Sequence, residues 1–146
     1  MRPDSDRTGT PMTRRILVVD DDDAIRDVVR TGLEVIAGWR VQLATHGAEA
    51  LRLCAADPPD AVLLDVMMPT MDGPTTYARL QDDARTRDVP VIFLTAKVQP
   101  AERRQYEDLG AAGVLAKPFD PLTLPAQIAT LLGWPPDPPS SPPQDG

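Results

Sequence analysis

Three apolar runs of this chain, "ILVV" (16–19), "AVLL" (61–64) and "VPVIFL" (89–94), have no polar break. A strand with one wet face alternates apolar and polar side chains, so a continuous run has to be covered on both faces. What lies between the runs is helical. "DAIRDVVRTGLEVI" places apolar residues at 25, 28, 29, 33 and 36, one face of a helix. "RVQLA" (40–44) alternates, as an edge strand does. "GAEALRLCAA" reads as helix and is stopped by "DPP". "TTYARLQDD" is a short helix with Pro74 in its first turn, and "PAERRQYEDLG" is a polar one ended by Gly110. "GVLAK" (113–117) is a fifth strand. "TLPAQIATLLG" closes the chain as an amphipathic helix, with a start near Thr123 that leaves Pro125 in the tolerant first turn. Five β-α units in succession demand right-handed crossovers and a mostly parallel sheet with helices on both faces. The expected fold is therefore doubly wound α/β, flavodoxin-like, with five strands in the order 2-1-3-4-5.

The rest of the chain bounds the answer. Its 146 residues suit one domain, predicted over 14–132. Residues 1–13 are polar, and 133–146 hold six of the 17 prolines. Both ends are predicted to be disordered tails, the first for its polar composition and the second because repeated prolines remove backbone donors. A net charge of −7 argues against nucleic acid or an anionic membrane as a partner. No apolar run reaches the ~20 residues that span a bilayer, and "MRPDSDRTGTPMT" is not a signal peptide, so the expected location is the cytoplasm. The single cysteine, Cys54, excludes an intrachain disulfide and a cysteine-based metal cluster.

Ligands of such a sheet sit beyond the carboxyl ends of the strands, where strand order reverses. Here the first run ends on Asp20 and Asp21, the third strand on Asp65, the fourth on Thr95 and the fifth on Lys117. Strands one and three are neighbours in this order, so the three aspartates converge. Clustered carboxylates repel unless a cation joins them, and Mg²⁺, a hard cation satisfied by oxygen, suits such a set. A carboxylate nucleophile, Mg²⁺, a hydroxyl and an ammonium together suit phosphoryl transfer to an aspartate.

"ILVVDDDDAIR", "LLDVMMPTMDG", "VIFLTA" and "LGAAGVLAKPF", in this order and spacing, resemble the receiver domain of bacterial two-component response regulators, of the CheY-like superfamily, over about residues 14–132. The resemblance implies a signalling module of the stand-alone type, not an enzyme, that accepts phosphate on Asp65 from a histidine kinase or phosphotransfer protein. It implies that Asp20, Asp21, Asp65 and the backbone carbonyl of Met67 arrange Mg²⁺, that Thr95 and Lys117 bind the phosphoryl oxygens, and that the Lys117–Pro118 bond is cis. Output would pass to an unnamed protein partner, or to a weak homodimer, through the last helix-strand-helix face around Arg103, Arg104, Val114 and residues 123–132. Val114 stands where such domains carry a switch aromatic, a departure from the pattern. Met67 and Lys97 flank the path of an attacking water and do not orient it, which predicts a long-lived phosphoprotein.

Several of these residues also admit another reading. Asp22 or Asp23 suits the cap of the first helix better than Asp20 or Asp21 does. Asp72-Gly73 reads as turn chemistry, and His46 as an exposed loop residue. A dehalogenase-type phosphatase would use Asp20 and Asp22 of "VVDDDD" but needs a second late acidic pair, which is missing. A pseudo-receiver that is never phosphorylated would leave the complete acidic set without a purpose.

Overall fold

The computed structural model describes residues 13–96 and 99–135. Lys97 and most of both predicted tails lie outside the described residues. The apolar runs form β1 (Arg15–Val19), β3 (Ala61–Asp65) and β4 (Val91–Thr95), and the two shorter segments form β2 (Arg40–Ala44) and β5 (Gly113–Ala116). All neighbours pair in parallel, in the order β2-β1-β3-β4-β5. Every residue of β3 is buried. The connecting helices are α1 (Asp23–Arg30), α2 (Gly47–Ala56), α3 (Gly73–Asp82), α4 (Pro100–Leu109) and α5 (Leu124–Leu132).

Alternation along the strands divides the core in two. Leu17, Val19, Val62, Leu64, Phe93 and Val114 pack beneath α2, α3 and α4, together with Ala50, Cys54, Tyr77, Leu80 and Tyr106. Ile16, Val18, Leu63, Ile92, Leu94 and Leu115 pack on the other side with Val29 and Leu33, and with Leu124 and Ile128 of α5. Each fully buried aliphatic or aromatic side chain contributes about 1.5–3 kcal/mol of transfer free energy, and both layers meet the requirement that the continuous runs imposed.

The structure departs from the sequence reading in three places. The first helix ends in a π-helical turn, Thr31–Ile36. Gly32 lies in that turn because a Cβ there would come within 2.8 Å of the Pro121 carbonyl. Strand β4 begins at Val91, not 89, since Pro90 has no N–H to give to the ladder and contributes only its carbonyl, to Val62 N–H at 3.0 Å. Ordered structure also continues past the predicted boundary at 132. Gly133 takes a left-handed conformation (φ 71°), which lets the Trp134 N–H bond the Ala129 carbonyl at 2.9 Å. Trp134 then packs edge-on against Trp39, centroids 5.5 Å apart, with the Arg14 guanidinium 4.1 Å from its ring centre. Among the described residues, no helix is long and apolar enough to cross a membrane.

Candidate functional site

The carboxyl ends of β1 and β3 bring Asp20, Asp21 and Asp65 together, with one oxygen of each within 4.8 Å of the others. Asp20 is fully buried and Asp65 is 3% exposed, while Asp21 faces solvent. Lys117, just after β5, reaches over this cluster. Its Nζ lies 2.8 Å from Asp20 Oδ2 and 3.0 Å from Asp65 Oδ1. With Asp65 it makes an aligned hydrogen bond. Asp20 Oδ2 is held by charge alone, accepting no aligned bond. Asp20 Oδ1 takes the Asp22 N–H at 2.9 Å, and Asp65 Oδ1 takes the Met67 N–H at a long 3.4 Å.

Backbone pairing sets where Lys117 starts. Its N–H bonds the Thr95 carbonyl at 2.8 Å, and the Lys117–Pro118 peptide is cis, as the resemblance implied. Thr95 ends β4 opposite Ala116. The four acidic and basic residues predicted for the site thus meet at one edge, with Thr95 at the end of the next strand. The Met67 side chain is 77% exposed at the rim.

Three carboxylates against one ammonium leave the cluster short of positive charge. Burial pushes the Asp65 carboxyl above its ordinary range; the Lys117 hydrogen bond works downward, and the charge of Asp20 adds to the rise. Burial works to lower Lys117 as well, but its contacts with Asp20 and Asp65 outweigh this and hold the ammonium above its ordinary value. Both partners of the ion pair therefore favour the protonated state. That is the behaviour of a lysine shared by too many carboxylates.

Other expectations resolve one by one. Asp22 caps α1, accepting the Ala24 N–H at 2.9 Å. Asp72 caps α3 through the Thr75 N–H at 2.9 Å, and its carboxyl is held low first by the Thr75 side chain and then by that backbone bond. His46 does more than sit exposed in a loop: its Nδ1 accepts the Glu49 N–H at 3.2 Å and caps α2. Val114, placed on the output surface by the sequence, is only 3% exposed and belongs to the core. It pairs in register with Phe93 and faces the layer beneath α4.

Two residues that shape the site escaped the sequence. The Arg26 guanidinium donates to the Asp20 carbonyl at 2.5 Å and pairs with Asp23, clamping the loop that carries both β1 aspartates. An Asp-Arg pair three apart on a helix was visible as a pattern, but its grip on the Asp20 backbone was not. Gly73 lies against the acceptor strand itself. A Cβ there would come within 2.4 Å of the Asp65 carbonyl oxygen and 2.9 Å of Val66 Cα, so only glycine lets α3 begin this close to Asp65.

The response regulator receiver domain matches residues 16–129. The chain belongs to that family. This receiver is 44% identical over 118 residues to the DNA-binding dual master transcriptional regulator RpaA of Synechocystis, covering 81% of this chain and 48% of RpaA. It superposes on the chemotaxis response regulator CheY4 of Vibrio cholerae with a TM-score of 0.76 at 31% identity, covering 82% of this chain and 99% of CheY4. The receiver domain of the sensor histidine kinase PA1611 from Pseudomonas aeruginosa, with magnesium coordinated in its active site cleft, gives a TM-score of 0.73 at 30% identity, over 84% and 99% of the two chains. The chain spans about half the length of the curated relatives it matches. A receiver of two-component signalling is therefore established, whereas the expectation that it stands alone is not. The expected lack of a nucleic-acid partner likewise finds no support in a relative named as DNA-binding.

Proposed function

We propose that Asp65 takes a phosphoryl group from a phosphohistidine of a histidine kinase or phosphotransfer protein. The observation that carries this reading is the buried carboxylate at the end of β3, 3.0 Å from an ammonium and beside two more carboxylates. An Asp65 carboxylate oxygen attacks phosphorus, the P–N bond breaks as the O–P bond of an acyl phosphate forms, and the leaving imidazole keeps the electron pair. Lys117 neutralises Asp65 before transfer and a phosphoryl oxygen after it, with the Thr95 hydroxyl as a second donor. Asp20, Asp21, Asp65 and the Met67 carbonyl would hold Mg²⁺, which supplies the positive charge that this acidic set lacks. The magnesium in the PA1611 cleft supports that assignment by likeness.

Output on this reading passes in the cytoplasm to a protein partner or a second copy through α4, β5 and α5. A groove of about 650 Å³ there is lined by Arg103, Leu115, Phe119, Gln127 and Leu131. The deciding experiment is incubation with Mg²⁺ and acetyl phosphate, followed by intact mass. One added phosphoryl group is expected, absent in Asp65→Asn. An unmodified wild type would favour a pseudo-receiver, and turnover of a phosphate ester that depends on Asp20 would favour a phosphatase. Duplex DNA retained by the chain itself would overturn an output through protein contacts alone.

A further inference from the structure

Helix α4 is held differently from its neighbours. Each of the other four helices buries at least one residue; α4 buries none. Of its ten residues only Glu102 and Tyr106, one turn apart, are less than exposed. Tyr106 is the one residue of α4 that packs on a hydrophobic cluster. Its ring lies 4.9 Å from the Phe93 centroid at 41°, and Tyr77 of α3 meets the same Phe93 edge-on at 5.7 Å. The partners of Phe93 in the neighbouring strands are Leu64 and Val114, aliphatic side chains that leave the aromatic contact on this face of β4 to the two tyrosines.

Phe93 lies two residues before Thr95 on β4, so the two side chains share a face of the sheet. Four residues join Thr95 to the first residue of α4. The helix is thus tied to the end of β4 twice, by a short length of chain and by one aromatic contact. An element with so little apolar anchorage is drawn from the low-stability end of a fold and is the one most easily displaced.

We propose that Tyr106 is the latch of α4, a positioning residue whose stacking on Phe93 couples the state of the Asp65 site to that helix. This rests on the phosphoacceptor reading of Asp65. A group bound at Asp65 that draws on Thr95 and Lys117 displaces the ends of β4 and β5, and the Phe93–Tyr106 stack passes the displacement to α4. The ring is the active part, because the hydroxyl takes no part in the stacking.

The chain has two tyrosines, so fluorotyrosine labelling gives two ¹⁹F signals, assigned by the loss of one in Tyr106→Phe. Mg²⁺ and beryllofluoride are added to the full chain, with binding read independently from the bound fluoride resonances and from its loss in Asp65→Asn. The Tyr106 signal is expected to move more than that of Tyr77, and amide exchange over 100–109 to change with it. Tyr106→Ala is expected to speed that exchange about three- to tenfold in the free state and to abolish its response to beryllofluoride. Tyr106→Phe keeps both. A Tyr106 signal that stays fixed while beryllofluoride binds at Asp65 overturns the latch and leaves the receiver reading standing. An α4 response that survives Tyr106→Ala does the same. Absence of any Asp65-dependent binding overturns both.

Discussion

Replacing Asp65 by asparagine is expected to make the Mg²⁺-free protein more stable. Asp20 and Asp65 place carboxylate oxygens within 4.8 Å, a repulsion of about 3.5 kcal/mol at an effective dielectric constant of ~20. Lys117 at 3.0 Å returns about 5.5 kcal/mol on the same scale, so pairwise charge alone would favour an ionised Asp65. The carboxyl is nevertheless pushed upward, with burial as the leading cause, and removing the charge relieves that cost. The asparagine oxygen still accepts from Lys117 and from the Met67 amide, so no partner is orphaned. A gain of about 1 kcal/mol is expected, the usual scale for a destabilised functional residue, and a rise of about 4 °C in melting temperature for a domain of this size. Magnesium reverses the order. At ten times its dissociation constant it stabilises a binding-competent fold by about 1.4 kcal/mol, and the variant, with one ligand weakened, gains less. Melts of both proteins by circular dichroism, with EDTA and then with rising MgCl₂, read the two effects separately. A variant less stable than wild type in EDTA would refute the reasoning, because Lys117 would then contribute more than burial costs.

Three further outcomes are expected. Gly73→Ala should lose about 1–3 kcal/mol in a urea titration and bind beryllofluoride more weakly, since its methyl group displaces the Asp65 carbonyl. Cys54 is buried, and desolvation, with a smaller contribution from Asp83, raises its thiol to about 11. At pH 8 only on the order of one thiol in a thousand is thiolate, so a disulfide reagent should label Cys54 only after denaturation. Met67→Asn combined with Lys97→Glu should shorten the life of the phosphorylated protein under fixed Mg²⁺, because amide and carboxylate groups orient water where a thioether does not; equal rates of phosphate loss would sink the positional argument.

The architecture was legible because continuous apolar runs in β1, β3 and β4 left a covered parallel sheet as the solution. The acidic site followed from strand ends and strand order, and Asp20, Asp21, Asp65 and Lys117 meet as that order requires. What escaped the sequence was contact between segments far apart in it. Gly32 matters only because Pro121 arrives beside it, and Gly73 only because α3 starts against Asp65. Trp134 looked like part of a proline-rich tail until Trp39 and Arg14 supplied a surface for its ring. Val114 was misplaced for a different reason: the resemblance puts the output face at this strand, but the Val114 side chain turns inward to the layer beneath α4.

The Trp134 contact also determines how this module can be handled. Arg14 precedes β1 and Trp134 follows α5, yet the guanidinium of one lies over the ring of the other, and the Arg14 carbonyl bonds the first residue of β2. The described fold therefore begins and ends at one corner, at the amino ends of the strands. Asp65 sits at their carboxyl ends, the length of a five-residue strand away, about 16 Å. A fluorophore, a surface tether or a fused reporter attached at either end of the described residues leaves from the side opposite the acceptor. The same closure makes the domain a natural subject for circular permutation, with the old ends joined and new ones opened elsewhere.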